Sequence, residues 1–186
     1  MENQKRCSWL NLNNEVYVKY HDEEWGCPLY DDQKLYEILF LESFQAGLSW
    51  ECVLNKRENF RKAFDNFDID KIIHYDDKKK KELLENSGII RNHLKINAVI
   101  TNSLAFKEIQ KEFGSFSKYI WSFTDNQVVY EEFTERTVSP LSDKISKDLK
   151  KRGMTFVGST IIYSFLQSMG IIHAHSKDCM CYKGKS

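Results

Sequence analysis

The amino-acid sequence predicts an all-α fold, for three reasons. The 186 residues include only 2 prolines and 8 glycines, so few residues interrupt long helices. Apolar residues recur at helical spacing in several segments. No two segments show strong alternation of apolar and polar residues, so strands are not predicted. The length and a hydrophobic fraction of 41% fit one globular domain, and we predict a single unit over residues 1–186.

Capping residues and helical spacing place the predicted helices in order along the chain. They cover residues 31–46, 49–54, 59–64, 76–86, 91–113, 115–123, 142–153 and 159–169. Their expected N-cap residues are Asp31 or Asp32, Ser49, Ser115 and Ser142. The glycines expected to end helices are Gly88, Gly114, Gly153 and Gly170. Residues 125–140 are predicted to form an irregular connection.

The chain is neutral overall, but its charges are unevenly distributed. It has 27 basic and 27 acidic side chains, a balance that by itself disfavours a nucleic-acid binder. Acidic residues predominate in residues 15–42. Basic residues predominate in residues 143–152, where they are Lys144, Lys147, Lys150, Lys151 and Arg152. One face is therefore expected to be basic although the whole chain is neutral.

No targeting or membrane-spanning segment is visible in the sequence. The N-terminal residues lack the apolar stretch of a signal peptide, and no apolar run is long enough to cross a bilayer. The chain has five cysteines, an odd number. We expect a cytoplasmic protein whose thiols are reduced or bind a metal, rather than forming disulfides.

Cysteine and histidine residues cluster near both ends of the chain. They are Cys7 and His21 near the start, and His173, His175, Cys179 and Cys181 near the end. Thiolates and imidazoles are the usual ligands of closed, tetrahedral structural zinc sites. The four-residue spacing of His175 and Cys179 would direct both side chains to one point on a helix. An ion held by both ends would restrict the conformations of the unfolded chain. The alternative to a metal site is a set of buried free cysteines and surface histidines.

Residues 149–170 have the pattern of two helices joined by a short turn. A basic helix ends at Gly153, and Gly158 precedes the polar start of an apolar helix. Glycine permits close approach of a backbone, and the free N–H groups at a helix N-terminus bind anions. The predicted contacts to a DNA phosphate are Lys151, Arg152, Gly153, Gly158, Ser159 and Thr160. The alternative is a helical hairpin with ordinary caps.

Glu42 lies on an apolar helix stripe together with Leu35, Ile38, Leu39 and Ala46. Glutamate is rarely buried without a partner or a function. The aromatic and polar residues near it in sequence, or expected near it in space, are Trp9, Tyr17, Tyr20, Trp25, Phe44, Gln45 and Trp50. Aromatic faces attract a positively charged ring, and a carboxylate accepts hydrogen bonds from a purine's amino edge. The alternative is a capping or ion-paired glutamate beside ordinary core aromatics.

Long motifs follow one another along essentially the full chain. They are CSW (7–9), YVKYHDEEWG (17–26), LESFQAGLSW (41–50), GIIRNHLKI (88–96), KKRGMTFVGSTIIYSF (150–165) and GIIHAHSKDCMCY (170–182). In sequence and spacing these motifs resemble the 3-methyladenine DNA glycosylase I family. The resemblance implies an all-α helix–hairpin–helix glycosylase fold, with the helix–hairpin–helix at about residues 142–169 and a zinc site joining the termini.

The resemblance also implies an activity and a partner. The family hydrolyses the N-glycosidic bond of 3-methyladenine in DNA and lacks the catalytic aspartate of most of its superfamily. Because no lysine is placed to act as a nucleophile, we expect a monofunctional glycosylase without a strand-nicking lyase step. The expected partner is double-stranded DNA carrying an alkylated base, and the expected state is a monomer.

Site residues follow from the resemblance, position by position. One structural zinc per chain would join residues 7–21 to residues 175–179, and its ligands would be Cys7, His21, His175 and Cys179. The catalytic residues would be Glu42, which reads the lesion, and Tyr20 beside it. Trp50 would stack on the base, and the residues that line or support the pocket would be Trp9, Tyr17 and Trp25.

The chain departs from the family pattern at a few positions. Ser8 and Ser43 stand where glycine is common, which affects loop geometry rather than chemistry. His173 competes with His175 as a ligand, although the spacing to Cys179 favours His175.

Two other functions fit parts of the same pattern. One is a helical module, crosslinked by zinc, that binds DNA without cleaving a bond. Such a module would have no use for Glu42 among aromatic residues. The other is a zinc hydrolase with an open metal site formed by His21, His173 and His175.

Overall fold

The computed structural model of the chain describes residues 5–45, 47–131 and 136–183. Its helices are α1 (Glu15–Glu23), α2 (Asp32–Gln45), α3 (Trp50–Leu54), α4 (Arg57–Ala63), α5 (Ile69–Ile72), α6 (Asp77–Glu85), α7 (His93–Phe113), α8 (Phe116–Ser122), α9 (Pro140–Lys151) and α10 (Ser159–Ser168). A 3₁₀ turn covers Asp65–Phe67, and two short strands are β1 (Val129–Tyr130) and β2 (Ile172–His173). The fold is therefore mostly helical, as predicted.

Several predicted helix ends are confirmed by their caps. The Ser49 side chain accepts a hydrogen bond from the backbone N–H of Cys52 at the start of α3. Ser115 caps α8 in the same way. Gly114 ends α7 in the left-handed conformation, at φ 83°. The predicted end of α2 at Ala46 lies outside the described residues, and the described helix extends to Gln45.

The prediction that Ser142 caps the basic helix is wrong. Ser139 is the N-cap of α9, and Pro140 follows it in the first turn. Proline suits this position, because its missing N–H would have no partner there and its fixed φ is helical. Ser142 instead completes a capping box, in which its hydroxyl accepts from the backbone N–H of Ser139 at 2.8 Å.

Helices α1 and α5 and strands β1 and β2 were not predicted. Helices α1 and α5 are short, and α1 buries only Tyr20 and His21, so neither shows a long apolar stripe. Strands β1 and β2 pair in parallel, with Val129 opposite Ile172 and Tyr130 opposite His173. Two-residue strands are too short to show an alternating pattern, which explains their absence from the prediction.

Helix α2 lies at the centre of the structure. It packs against α3, α7, α8 and α10. Every residue from Leu35 to Phe44 is buried, on all sides of the helix. The sequence predicted a single apolar stripe on this helix. That prediction was too narrow, because the stretch Leu35–Phe44 is buried on every side. Glu42 is consequently placed in the interior by the helix itself.

Gly170 fixes the chain that leaves α10 against the segment after α1. Its φ is 75°, and a Cβ at this position would lie 2.3 Å from the backbone carbon of Cys27. Only glycine fits this close approach of two backbones. The packing brings the C-terminal segment beside α1, where Cys and His residues of both ends meet. No helix in the described part of the chain is long and apolar enough to cross a membrane.

Candidate active site and metal centre

A cavity of about 250 Å³ opens beside α2 and α10. Its lining residues are Trp9, Tyr17, Tyr20, Trp25, Glu42, Gln45, Trp50, Ser164, Gln167 and Ser168. All the residues predicted for the lesion pocket are among them. The structure therefore brings together residues that are up to 41 positions apart at the N-terminal end of the chain, and adds a wall from α10.

Glu42 is the acidic side chain of this cavity, and it is only 1% exposed. Its Oε1 accepts a hydrogen bond from the Ser168 hydroxyl at 2.8 Å. Its Oε2 has no hydrogen-bond partner among the described residues. Burial raises the pKa of Glu42 to about 8, although the hydrogen bond from Ser168 works in the opposite direction. The alternative of a capping or ion-paired Glu42 is not what the structure shows.

Further buried polar atoms of the cavity also have no hydrogen-bond partner within the described ranges. They are Trp9 Nε1, Gln45 Oε1 and Trp50 Nε1. Such atoms are rare in folded proteins, because each loses its hydrogen bonds to water. Together with Glu42 Oε2, the cavity offers two donors and two acceptors. This combination fits a ligand that has both donors and acceptors on its edge.

Tyr20 is joined to Glu42 through Ser168. The Tyr20 hydroxyl donates to Ser168 Oγ at 2.8 Å, and Ser168 in turn donates to Glu42. Burial and the neighbouring Glu42 carboxylate raise the pKa of Tyr20 well above its usual value. The phenol therefore stays neutral and remains a donor at neutral pH.

Aromatic rings form most of the cavity wall. Trp9 lies 5.4 Å from Tyr17 and 4.9 Å from Trp25, measured between ring centroids. Trp50, at the start of α3, lies 5.5 Å from Tyr20. Flat rings of this kind bind planar molecules by stacking, and they favour planar cations further. Phe44, in contrast, is fully buried against Phe40 and belongs to the core.

Next to the cavity, four buried cysteine and histidine side chains point at one another. They are Cys7, His21, His175 and Cys179, whose potential ligand atoms all lie within 4.8 Å of each other. Cys179 Sγ is 3.6 Å from His21 Nε2 and 3.4 Å from His175 Nδ1. Cys7 Sγ is 3.5 Å from His175 Nδ1. A tetrahedral zinc with ordinary bond lengths separates its sulfur and nitrogen ligands by about 3.6 Å, so the geometry fits this ion.

The second nitrogen of each histidine in this cluster has a partner of its own. His21 Nδ1 lies 2.8 Å from Asp22 Oδ1, which also accepts from Arg6. His175 Nε2 lies 3.1 Å from the carbonyl oxygen of Trp25. Such partners fix the tautomer and leave the other nitrogen free to ligate a metal. Burial also lowers the pKa of His175 to about 4, which keeps its imidazole neutral.

His173 lies outside this group. Its Nε2 accepts a hydrogen bond from the backbone N–H of Lys183 at 3.0 Å, and its ring packs on Tyr130. The backbone N–H of Cys181 points at Cys179 Sγ, at 3.4 Å, as a donor to a thiolate would. The cluster therefore offers four candidate ligands in closed geometry, and the alternative of an open site of three histidines is not supported.

The predicted hairpin consists of α9, a turn and α10. Gly153 in the turn has φ 93°, and open space surrounds the Cα atoms of Gly153 and Gly158. Gly158 is the N-cap of α10, and no side chain of the described residues caps this helix. The first-turn N–H groups at Ser159 and Thr160 are thus left for an external acceptor.

Two basic residues of the hairpin differ in their surroundings. Lys151 is exposed at the end of α9. The Arg152 guanidinium, in contrast, donates to Asp148 and Glu112 and lies over the rings of Phe113 and Tyr119. This arrangement holds α9 to α7 and argues against a phosphate contact by Arg152.

Comparison with known proteins identifies the family. Residues 9–182 match the family model of methyladenine glycosylases. The chain belongs to this family. It is 41% identical over 184 residues to DNA-3-methyladenine glycosylase 1 of Escherichia coli strain K12, covering 97% of this chain and 98% of that protein.

Solved structures of the family are similar over nearly their whole length. A crystal structure of 3-methyladenine DNA glycosylase I superposes with a TM-score of 0.92 at 42% identity, covering 96% of this chain and 100% of that one. A tyrosine-to-phenylalanine variant of 3-methyladenine DNA glycosylase I, in complex with 3-methyladenine, has a TM-score of 0.92 at 32% identity, covering 97% and 99%. The methyladenine glycosylase fold is thus present throughout the chain.

Sequence reasoning missed the contribution of α10 to the cavity. Ser164, Gln167 and Ser168 lie on one side of this helix at spacings of three and four residues. A polar stripe on an otherwise apolar helix is the pattern that would have indicated them. Their distance of more than a hundred positions from Glu42 gave no other indication.

Replacing Glu42 by glutamine is expected to change how stability depends on pH. A pKa raised to about 8 in the folded state means that the neutral form is favoured, and that stability falls as pH rises from about 4.5 through 8. The Glu42→Gln variant should lack this loss. Its free energy of unfolding should therefore exceed that of the parent by about 2–4 kcal/mol at pH 9 and by little at pH 5. Chemical denaturation at pH 5, 7 and 9 measures the difference.

Glu108→Gln provides the control for this measurement. Glu108 is exposed on α7, so the variant removes one carboxylate without altering the cavity. The burial of an ionisable carboxyl group in the cavity would be contradicted by one result. This is a difference in unfolding free energy between Glu42→Gln and the parent that is the same at pH 5 and pH 9.

Proposed function

We propose that this chain is a DNA-3-methyladenine glycosylase, which hydrolyses the N-glycosidic bond of 3-methyladenine in alkylated double-stranded DNA. The curated relatives carry this activity in their names, and a similar structure has bound 3-methyladenine. The observation that carries the proposal is Glu42, buried in an aromatic cavity with one carboxyl oxygen unpartnered. Neither a structural protein nor a phosphate binder needs such a group.

Base flipping is the first step that this cavity requires. A base inside a duplex is out of reach of Glu42, so the lesion has to rotate out of the stack into the cavity. Trp50 then stacks on the ring, a contact worth about 1–3 kcal/mol. The amino group of the adenine donates to Glu42 Oε2, and the indole N–H groups of Trp9 and Trp50 are available to ring acceptors.

The charge of the lesion explains how Glu42 favours substrate over product. Methylation at N3 gives the nucleoside a positive charge, whereas the released 3-methyladenine is neutral. A cation in the cavity stabilises the Glu42 carboxylate, whose pKa burial has raised to about 8. The attraction between the cationic base and the Glu42 carboxylate is strongest when the bound substrate places its charge beside Glu42. It disappears when the glycosidic bond breaks, which assists release of the neutral base.

The leaving group itself needs little help. A positively charged purine departs readily, so the cavity mainly selects which base is cleaved, and water attacks the sugar. No lysine lines the cavity within the described residues. A covalent imine with the sugar therefore has no nucleophile here, and we infer a monofunctional glycosylase.

We also propose that the cluster of Cys7, His21, His175 and Cys179 holds one structural zinc ion. The distances between sulfur and nitrogen atoms and the partnered second nitrogens support this assignment. With four protein ligands the ion has no open position for water, so it supplies crosslinking rather than chemistry. The crosslink would join segments that are separated by nearly the whole chain.

The hairpin of α9 and α10 is proposed to bind a DNA phosphate in the helix–hairpin–helix manner. The uncapped N-terminus of α10, the open space at Gly158 and the exposed Lys151 support this proposal. A phosphate at this position receives backbone hydrogen bonds and the positive end of the helix dipole. Such a contact is independent of sequence, as a repair enzyme requires.

Incubation with methylated duplex DNA tests the activity. The parent should release 3-methyladenine, identified by chromatography, and Glu42→Gln should lower kcat/KM at least about tenfold, because a hydrogen bond to a charged group is lost. Glu37→Gln is the matched control, since Glu37 is also buried on α2 but pairs with Arg57 and Arg61 away from the cavity. Equal rates for the parent and Glu42→Gln would refute the role of Glu42.

Metal analysis of protein purified without added zinc tests the crosslink. We expect about one equivalent of zinc per chain and its loss in Cys179→Ser, with a fall in unfolding free energy of several kcal/mol. Cys52→Ser is the control, because Cys52 lies on α3 outside the cluster. Fully folded, active and metal-free protein would show that the cluster is only a buried set of thiols and imidazoles.

Placing a charge at the N-cap of α10 tests the hairpin. Gly158 has φ −62° and open space around it, so Gly158→Asp is compatible with the backbone and caps the helix. It should stabilise the fold slightly but weaken binding to undamaged duplex at low salt, because its carboxylate repels a phosphate. Gly158→Asn caps without the charge and should bind DNA more tightly than Gly158→Asp. Duplex affinity of Gly158→Asp equal to that of the parent would exclude this phosphate site.

A further inference from the structure

Ser168 occupies a connecting position between two functional elements. It is the last residue of α10, and it is only 3% exposed. Its hydroxyl contacts both residues predicted to be catalytic, at 2.8 Å from Tyr20 Oη and 2.8 Å from Glu42 Oε1. This serine was not among the residues predicted from the sequence.

The direction of these hydrogen bonds follows from the donors available. The Tyr20 phenol donates its proton to Ser168 Oγ, and the Ser168 hydroxyl has a single proton of its own to donate. Ser168 therefore donates its proton to Glu42 and accepts from the Tyr20 phenol. Glu42 Oε1 is held by this contact, which leaves Oε2 as the oxygen without a partner among the described residues.

We propose that Ser168 is a positioning residue for lesion recognition: together with Tyr20 it fixes the rotamer of Glu42 so that Oε2 faces the flipped base. This inference rests on the proposed glycosylase function. Ser168 itself does not react; it acts through Glu42. Without its hydrogen bond the carboxyl group would rotate or bind water, and its acceptor would no longer be pre-oriented for the adenine amino group.

The position of Ser168 on α10 connects the proposed phosphate contact to Glu42 through one helix. The N-terminus of the same helix is the proposed phosphate contact, and its first residue, Ser159, lies nine residues and about 14 Å away. One rigid helix thus sets the distance between the DNA backbone and the carboxylate that reads the base. A base that is flipped while the backbone is held at Ser159 arrives at a Glu42 already oriented by Ser168.

A pair of isosteric variants separates the hydroxyl from its packing. Ser168 also borders a second cavity, of about 440 Å³, between α1 and α2. Ser168→Thr keeps the hydroxyl, and Ser168→Val replaces it by a methyl group of the same shape. We expect Ser168→Val to bind free 3-methyladenine at least about tenfold more weakly than Ser168→Thr, with equal affinities for undamaged duplex. Affinities of the two variants within about twofold of each other would overturn the proposal.

A double-mutant cycle provides a readout that packing alone would not change. If Ser168 acts through Glu42, Ser168→Ala should reduce kcat/KM about tenfold in the parent but have little effect in the Glu42→Gln background. Equal losses in both backgrounds would show that Ser168 is merely structural. This arm remains decisive if Ser168→Val does not fold.

Ser103→Ala is the matched control for breaking a buried tyrosine–serine hydrogen bond. Ser103 bonds to the hydroxyl of Tyr36 in the core, away from the cavity, and its loss should affect stability but not affinity for the base. The failure of the proposed function is distinguishable from the failure of this inference. A parent protein that releases no 3-methyladenine refutes the function, whereas an active parent with equivalent Thr and Val variants refutes only the role of Ser168.

Discussion

The burial of one carboxyl group in the centre of the molecule is the constraint on which the site depends. Glu42 lies in the stretch Leu35–Phe44 of α2, which is buried on all sides, and its burial opposes ionisation. A group of this kind lowers the stability of the empty protein, because a single hydrogen bond from Ser168 does not replace its hydration. Proteins retain such groups where a ligand supplies the missing interaction. A positively charged base supplies it through both charge and hydrogen bonds.

Elsewhere on the same helix, the fold compensates an acidic group fully. Glu37 is also buried, but it receives hydrogen bonds from Arg57 and Arg61, and Arg57 additionally pairs with Glu24. Three guanidinium N–H groups, one from Arg57 and two from Arg61, converge on Glu37 Oε1, so the charge of this carboxylate is paired within the protein. The contrast between two glutamates five residues apart shows that the lack of a partner at Glu42 is a property of the cavity and not of α2.

The cavity wall and the metal cluster share their aromatic residues. Trp25 lies 4.5 Å from the His175 ring, and Trp9 lies 5.4 Å from the His21 ring. Two rings of the cavity wall are therefore backed by residues proposed to ligate zinc. The proposed zinc crosslink would hold the cavity wall as well as the termini, because rings packed on metal ligands have little freedom to move. It would therefore couple the stability of the chain ends to the shape of the cavity.

The sequence by itself determined the helical class and the caps Ser49, Ser115 and Gly114, and its resemblance to a known family indicated the cavity residues of the N-terminal third and the four members of the Cys and His cluster. Local chemistry and long motifs were sufficient for these, since capping and spacing act within a few residues. Only the tertiary structure decided that Ser168 bonds to Glu42, that Arg152 binds Glu112 rather than facing outward, and that β1 pairs with β2. These contacts join residues between 40 and 126 positions apart. Their existence depends on how the helices pack around α2, which no local pattern specifies.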